Sequence, residues 1–131
     1  MTTPPPCPCG ASTALPCADC CGRFHAGPLH LLAPTAEALM RSRYSAYVLD
    51  LRGYLRVTWH ASTRPAVIEP NPPGLKWLGL EVRQHTLHGA DHASVEFVAR
   101  SKLGGRAQRL HETSRFLRED GRWYYVDGDL R

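Results

Sequence analysis

Two different periods of apolar residues divide this sequence. Met40, Tyr44, Tyr47, Leu51, Tyr54 and Thr58 recur at alternating steps of four and three, which is the spacing of one helix face. Thr35 follows Pro34 as a predicted N-cap, and Glu37 falls in the first turn, where the helix dipole favours an anion. Asp50 and Gly53 interrupt the run, so the pattern predicts helices near 35–49 and 51–58. From Pro65 to Gly74 four prolines and a glycine mark an irregular connection. Beyond Lys76 the period becomes alternating and predicts strands near 77–88, 92–103, 106–119 and 122–127. Gly89-Ala90-Asp91, Gly104-Gly105 and Asp120-Gly121 separate them, the last two being short-hairpin signals. Val95, Phe97 and Ala99 then share one side of the second strand, with Glu96 and Arg100 on the other; Leu110, Glu112, Ser114 and Phe116 share a side of the third. Helices followed by an antiparallel meander make an α+β fold, not a βαβ one.

The first 25 residues follow neither period. All five cysteines lie there, as Cys7-Pro8-Cys9-Gly10, Cys17 and Cys20-Cys21, with His25 close behind. Tetrahedral zinc requires four soft or borderline donors about 2.0–2.3 Å from one point. Pro8 fixes its backbone φ and Gly10 allows the chain to reverse, so two cysteines on either side of one residue can converge. Nearly devoid of large apolar side chains, the segment would draw much of its folding free energy from a metal. Cys7, Cys9, Cys20 and Cys21 are the first choice of ligands. His25 in place of Cys21 is the nearest alternative, and the Cys17-x-x-Cys20 spacing is another. Free thiols in a tail, or a redox pair at Cys17 and Cys20, are the competing readings.

Composition narrows the partners. With 131 residues there is material for about one domain. No apolar run is long enough for a membrane span, and Met1-Thr2-Thr3 opens no secretory signal, so a cytoplasmic location is expected, where clustered cysteines favour metal over disulfides. The formal charge of +4 falls by two when four thiolates hold a Zn²⁺. The arginines are scattered among acids, so nucleic acid is not the expected partner.

A series of matches runs nearly the length of the chain: Cys-Pro-Cys-Gly (7–10), Cys-Cys (20–21), Leu-Met-Arg-Ser-Arg-Tyr-Ser-Ala-Tyr (39–47), Tyr-Leu-Arg-Val-Thr-Trp-His (54–60), Trp-Leu-Gly-Leu (77–80), Phe-Val-Ala-Arg (97–100), Ser-Arg-Phe-Leu (114–117) and Gly-Arg-Trp-Tyr-Tyr-Val-Asp-Gly (121–128). By these residues the sequence resembles the YchJ family of uncharacterised bacterial proteins. The resemblance implies a SEC-C-like zinc motif over 1–27 and a nuclear transport factor 2-like domain over 28–131, whose helices and curved sheet form a cone. Some members carry a second, C-terminal SEC-C motif. This sequence ends at Arg131 without one, which weighs against a function needing paired motifs.

Cones of this type bind small molecules or catalyse at their open end. The resemblance therefore implies a pocket drawn from Arg41, Arg43, Tyr44, Tyr47, Trp59, Trp77, Ser114 and Trp123. On an apolar helix face Tyr44 and Tyr47 are more often core, each hydroxyl finding a partner, and Trp59 and Trp123 are likewise more often core. Glu112 sits on the apparent inner face, where a carboxylate must be paired or hydrogen-bonded; Arg41 or Arg43 would pair it as an anchor between helix and sheet. An acid/base pair of Glu112 with His60 is the catalytic alternative. The expected function is a zinc-stabilised binding or adaptor module that meets a protein partner through its metal knot. A small-molecule binder or enzyme using the cone is the alternative.

Overall fold

The computed structural model describes residues 5–11 and 15–131. Residues 1–4 and 12–14 of the predicted N-terminal motif lie outside the described residues. A 3₁₀ turn at Cys17–Asp19 leads into α1 (Gly22–His25), followed by α2 (Ala36–Val48), α3 (Arg52–Val57), β1 (Lys76–Leu87), β2 (His92–Leu103), β3 (Arg106–Glu119) and β4 (Arg122–Leu130). The strands form one antiparallel sheet in the order β1-β2-β3-β4. No helix among the described residues is long and apolar enough to cross a membrane.

Local chemistry accounts for the element ends. Thr35 is extended, and its side chain accepts a hydrogen bond from the Ala38 amide at 3.0 Å, satisfying one of the orphan N–H groups of α2. Helix α2 stops where Asp50 takes a left-handed φ of 57°. The Leu51 amide then bonds back to the Ala46 carbonyl at 2.8 Å, the Schellman closure. In both tight hairpins the two turn residues have positive φ: 58° and 79° at Gly104-Gly105, 54° and 77° at Asp120-Gly121. That is the type I′ geometry matching strand twist, and it sets Leu103 opposite Arg106 and Glu119 opposite Arg122.

Register shifts at Trp77/Gly79 and Val82/Gln84 in β1, and at Arg115/Phe116 between β3 and β4, bend the sheet around α2 as bulges do. The concave face presents Val95, Phe97 and Ala99 of β2, Phe116 of β3 and Trp123 of β4 to Leu39, Met40, Tyr44, Tyr54 and Leu55 of the helices. Strand β4 runs three residues past its predicted end. Gly128, Asp129 and Leu130 lie beyond it, yet they pair with Ser114, Thr113 and Glu112. Arg115 supplies the reason, bridging Asp127 and Asp129 at 2.6 Å each.

The predicted helix face is the buried one, but it is incomplete. Leu39, Ser42, Arg43, Ser45 and Ala46 are buried as well, because α2 has the sheet on one flank and the N-terminal segment and α3 on the others. After α3 the chain docks on β4: the His60 amide donates to the Tyr125 carbonyl at 2.7 Å, and the Tyr125 amide to Thr58 at 2.8 Å. This covers part of an edge strand that would otherwise present unpaired backbone. The Pro-rich stretch is irregular, and Asn71 Nδ2 ties it to the Tyr47 carbonyl at 2.6 Å.

Leu39 and Leu55 are each 1% exposed. Leu39→Ala or Leu55→Ala should therefore cost about 2–5 kcal/mol in urea denaturation. Leu49→Ala, on the exposed helix end, should stay within about 0.5 kcal/mol of the parent chain.

Candidate metal centre and cone cavity

The N-terminal segment closes on itself before it meets the rest of the molecule. Pro6 bridges Pro16, and the Cys7 amide donates to the Leu15 carbonyl at 2.8 Å. Cys7-Pro8-Cys9-Gly10 is a turn, with Gly10 at φ 74° and its amide directed to the Cys7 carbonyl at 3.3 Å. On the other side the 3₁₀ turn passes Cys20 into Cys21, the N-cap of α1. Gly22 has to be glycine here, since a Cβ would lie 2.6 Å from the Cys17 carbonyl oxygen.

The result brings the Sγ atoms of Cys7, Cys9, Cys20 and Cys21 within 4.8 Å of one another, all four buried. Cys9 and Cys20 stand 3.7 Å apart. For metal–sulfur bonds of about 2.3 Å, the edge of a tetrahedral sulfur set is about 3.8 Å, so the four thiols can hold a metal ion. Cys17 stays at the edge of the group. Burial and the charge of Cys7 push its thiol up to about 11. Cys9 goes the other way, to about 5, through hydrogen bonds chiefly from Cys21. Burial raises Cys20 to about 11, and the bond to Cys9 raises Cys21 further. Burial opposes ionisation of Cys7, but bonds from Ser45 and two amides bring it below its ordinary value.

His25 does not join them. Its Nε2 lies 2.8 Å from the Ser42 carbonyl, which requires that nitrogen to carry the proton, and its ring stands edge-on to Tyr54 at 4.7 Å. Burial lowers its pKa and keeps it neutral. The same helix side holds the knot elsewhere: Arg41 Nη1 donates to the Cys9 carbonyl at 2.8 Å, and Ser45 Oγ lies 3.4 Å from Cys7 Sγ. Arg41 thus belongs to the knot, with Glu37 as its salt-bridge partner at 3.0 Å. It neither lines the cone nor pairs with Glu112.

Between α2 and the concave face lies a cavity of about 270 Å³. Of the residues expected there, Arg43, Tyr44, Tyr47, Trp77, Ser114 and Glu112 line it; Arg41, Trp59 and Trp123 do not. Tyr44 and Tyr47 meet Trp77 at 5.7 and 6.1 Å between ring centres. Trp59 lies behind, standing edge-on to Tyr125 at 4.9 Å. Trp123 is core, beneath the Arg118 guanidinium. Tyr125 and Phe97 also line the cavity. Alternation placed Phe97 on the inner face, while Tyr125 sits in a run of aromatics whose parity the sequence does not settle.

The two charges of the cavity stand apart. Arg43 is 5% exposed. Its Nη1 donates to the Leu55 carbonyl and to Thr58 Oγ1 at 2.8 and 2.7 Å, and its guanidinium lies over Tyr125 and Trp59 at 4.6 and 5.3 Å. Hydrogen bonds and π faces stabilise this cation in place of the expected ion pair with Glu112. Glu112 accepts a short hydrogen bond from Ser114, and its carboxyl lies over Gly128, where a Cβ would come within 2.5–2.9 Å of the Glu112 side chain. Burial, then the charge of Glu112, push Tyr125 up to about 12. His60 is elsewhere: its Nε2 meets Glu119 at 3.0 Å and its Nδ1 meets Ser62 at 2.7 Å. The structure does not bring His60 and Glu112 together.

Known proteins are similar to this chain in sequence and fold. The family model described as YchJ, middle NTF2-like domain, matches residues 35–128. A UPF0225 protein of Methylibium petroleiphilum is 68% identical over 128 residues, covering 97% of this chain and 90% of its own length. One from Bordetella parapertussis is 58% identical over 130 residues, covering 99% and 96%. Among solved structures, a SEC-C motif containing protein from Rhodopseudomonas palustris matches with a TM-score of 0.78 and 33% identity over 94% of this chain and 96% of its own. Another from Psychrobacter arcticus matches with a TM-score of 0.75 and 33% identity over 95% and 82%.

Gly128→Ala should cost about 1–3 kcal/mol by overpacking against Glu112. Combining it with Glu112→Ala should recover most of that loss. A double-mutant cycle in urea measures this coupling.

Proposed function

The chain belongs to the YchJ (UPF0225) family, and on that premise we propose that it is a small-molecule-binding protein, with a structural zinc ion fastening its N-terminal segment to the cone. One observation carries the binding role: an aromatic-walled cavity that holds a carboxylate, Glu112, in a place kept free by Gly128 and without an ion-pair partner among the described residues. A glutamate serving only to anchor helix to sheet would be met by one of the neighbouring arginines. Here Arg41 and Arg43 are both engaged elsewhere.

Zinc is the metal best suited to four buried thiolates at tetrahedral spacing. Cys7, Cys9, Cys20 and Cys21 would hold it. Four protein ligands leave no open position, so the ion's role is structural and the proposal assigns it no reaction. The adaptor reading draws less support, because the knot directs Cys7, Cys9 and His25 toward α2 and not toward a partner.

Elemental analysis of the purified chain should find one zinc per molecule. Cys9→Ser should lose it, and Cys17→Ser should retain it. Chelation should lower the melting temperature by at least about 10 °C, given that a structural site contributes several kcal/mol to folding. In a thermal-shift screen of metabolites, a ligand at a hundred times its Kd should stabilise the chain by about 2.7 kcal/mol. Leu110→Trp, which plugs the cavity mouth with a half-exposed residue, should abolish that shift. A shift that survives Leu110→Trp would place the ligand outside the cone.

A further inference from the structure

Resting on the small-molecule reading above, we infer that the cone selects a compact organic cation, a primary amine or amidine on a flat or aliphatic body, with Glu112 as its counter-ion. Six aromatic side chains, Tyr44, Tyr47, Trp77, Phe97, Phe116 and Tyr125, line the same cavity as this carboxylate. Aromatic faces beside a carboxylate recognise ammonium groups: the ring quadrupoles and the anion both attract positive charge, and both strengthen out of water.

The carboxylate is short of donors. An ionised carboxylate offers about four acceptor sites, and Ser114 fills one on Oε2. Among the described residues no side chain donates to Oε1. A half-buried acceptor left so open costs free energy unless water or a ligand supplies the missing donors. The sheet nevertheless holds Glu112 there. Gly128, opposite Ser114 in β4, leaves the space the carboxyl fills, and glycine within a strand is itself destabilising.

Arg43 is the other charge in the lining, and it does not reverse the preference. Its cation is fixed toward α3 by Leu55 and Thr58 and covered by Trp59 and Tyr125. No salt bridge joins it to Glu112. Electrically the cavity is balanced, so a cation bound to Glu112 meets a fixed neighbour and not an open field of positive charge. At about 270 Å³, the space lies at the small end of ligand pockets, which restricts the body to one or two rings or a short chain.

Three probes on one ring system separate charge from shape: tryptamine, tryptophol and indole-3-acetate, titrated calorimetrically into the zinc-loaded full chain at low ionic strength. Tryptamine is expected to bind at least about tenfold tighter than tryptophol, with indole-3-acetate weakest. Glu112→Gln should bring tryptamine to the level of tryptophol. Glu112→Asp, which keeps the charge one methylene back, should retain the order at lower affinity. A preference for tryptophol or indole-3-acetate, tryptamine binding indifferent to Glu112→Gln, or no binding of any probe overturns the cation inference. The broader screen with Leu110→Trp decides separately whether a ligand-binding cone remains.

Discussion

Helix α2 has two incompatible flanks, and the molecule is arranged to satisfy both. One flank carries Leu39, Met40 and Tyr44 and is buried by the curved sheet. The other carries Arg41, Ser42 and Ser45, with both serines fully buried. Polar groups can be buried only against polar partners. The knot provides them: the Cys9 carbonyl for Arg41, the Cys7 thiol for Ser45, the His25 ring for the Ser42 carbonyl. Tyr54 from α3 completes the set with its hydroxyl 2.7 Å from Ser42 Oγ. The cysteine segment is therefore no appendage on a finished domain. It is the polar half of the shell around the central helix, and a metal would hold that half in shape where apolar contacts cannot.

The cavity follows from the same geometry. A sheet bent by three irregularities packs into the core with the helices at Val95 and Trp123 and leaves a gap lined by Phe97, Leu110 and Trp77. In that gap Arg43 and Glu112 are held by different elements and stabilised by different means. Buried opposite charges usually meet; here each is anchored separately, which leaves a polarised space between aromatic walls.

Much of the fold was legible in the sequence because its signals are local. Thr35, Asp50, Gly104-Gly105 and Asp120-Gly121 each act within a few residues, and the elements begin and end around them. The cysteine group was legible for the same reason: its turn chemistry is written within fifteen residues. The partners of Arg41, Arg43, His25 and His60 were not. Each depends on which of several nearby acceptors the finished packing brings closest, and periodicity carries no information on that. Trp59 and Trp123 misled as pocket residues because burial and ligand contact draw on the same side chains. The end of β4 was missed because a glycine and an aspartate, Gly128 and Asp129, look like a loop until Arg115 stands beside them.

The bulge at Arg115/Phe116 decides the electrical character of the cone. In β4, Trp123 and Tyr125 face inward, and unbroken alternation would send Asp127 and Asp129 inward after them. Val126 falls out of register, and the parity changes. Both aspartates emerge on the outer face against Arg115, while Gly128 takes the inward place. A single extra residue thus acts as a sorting device for acids, leaving one carboxylate inside where there would have been three. Insertions and deletions between Asp120 and Gly128 would be constrained by that sorting even where the outer surface could absorb them, and natural length variation in this family should avoid that interval.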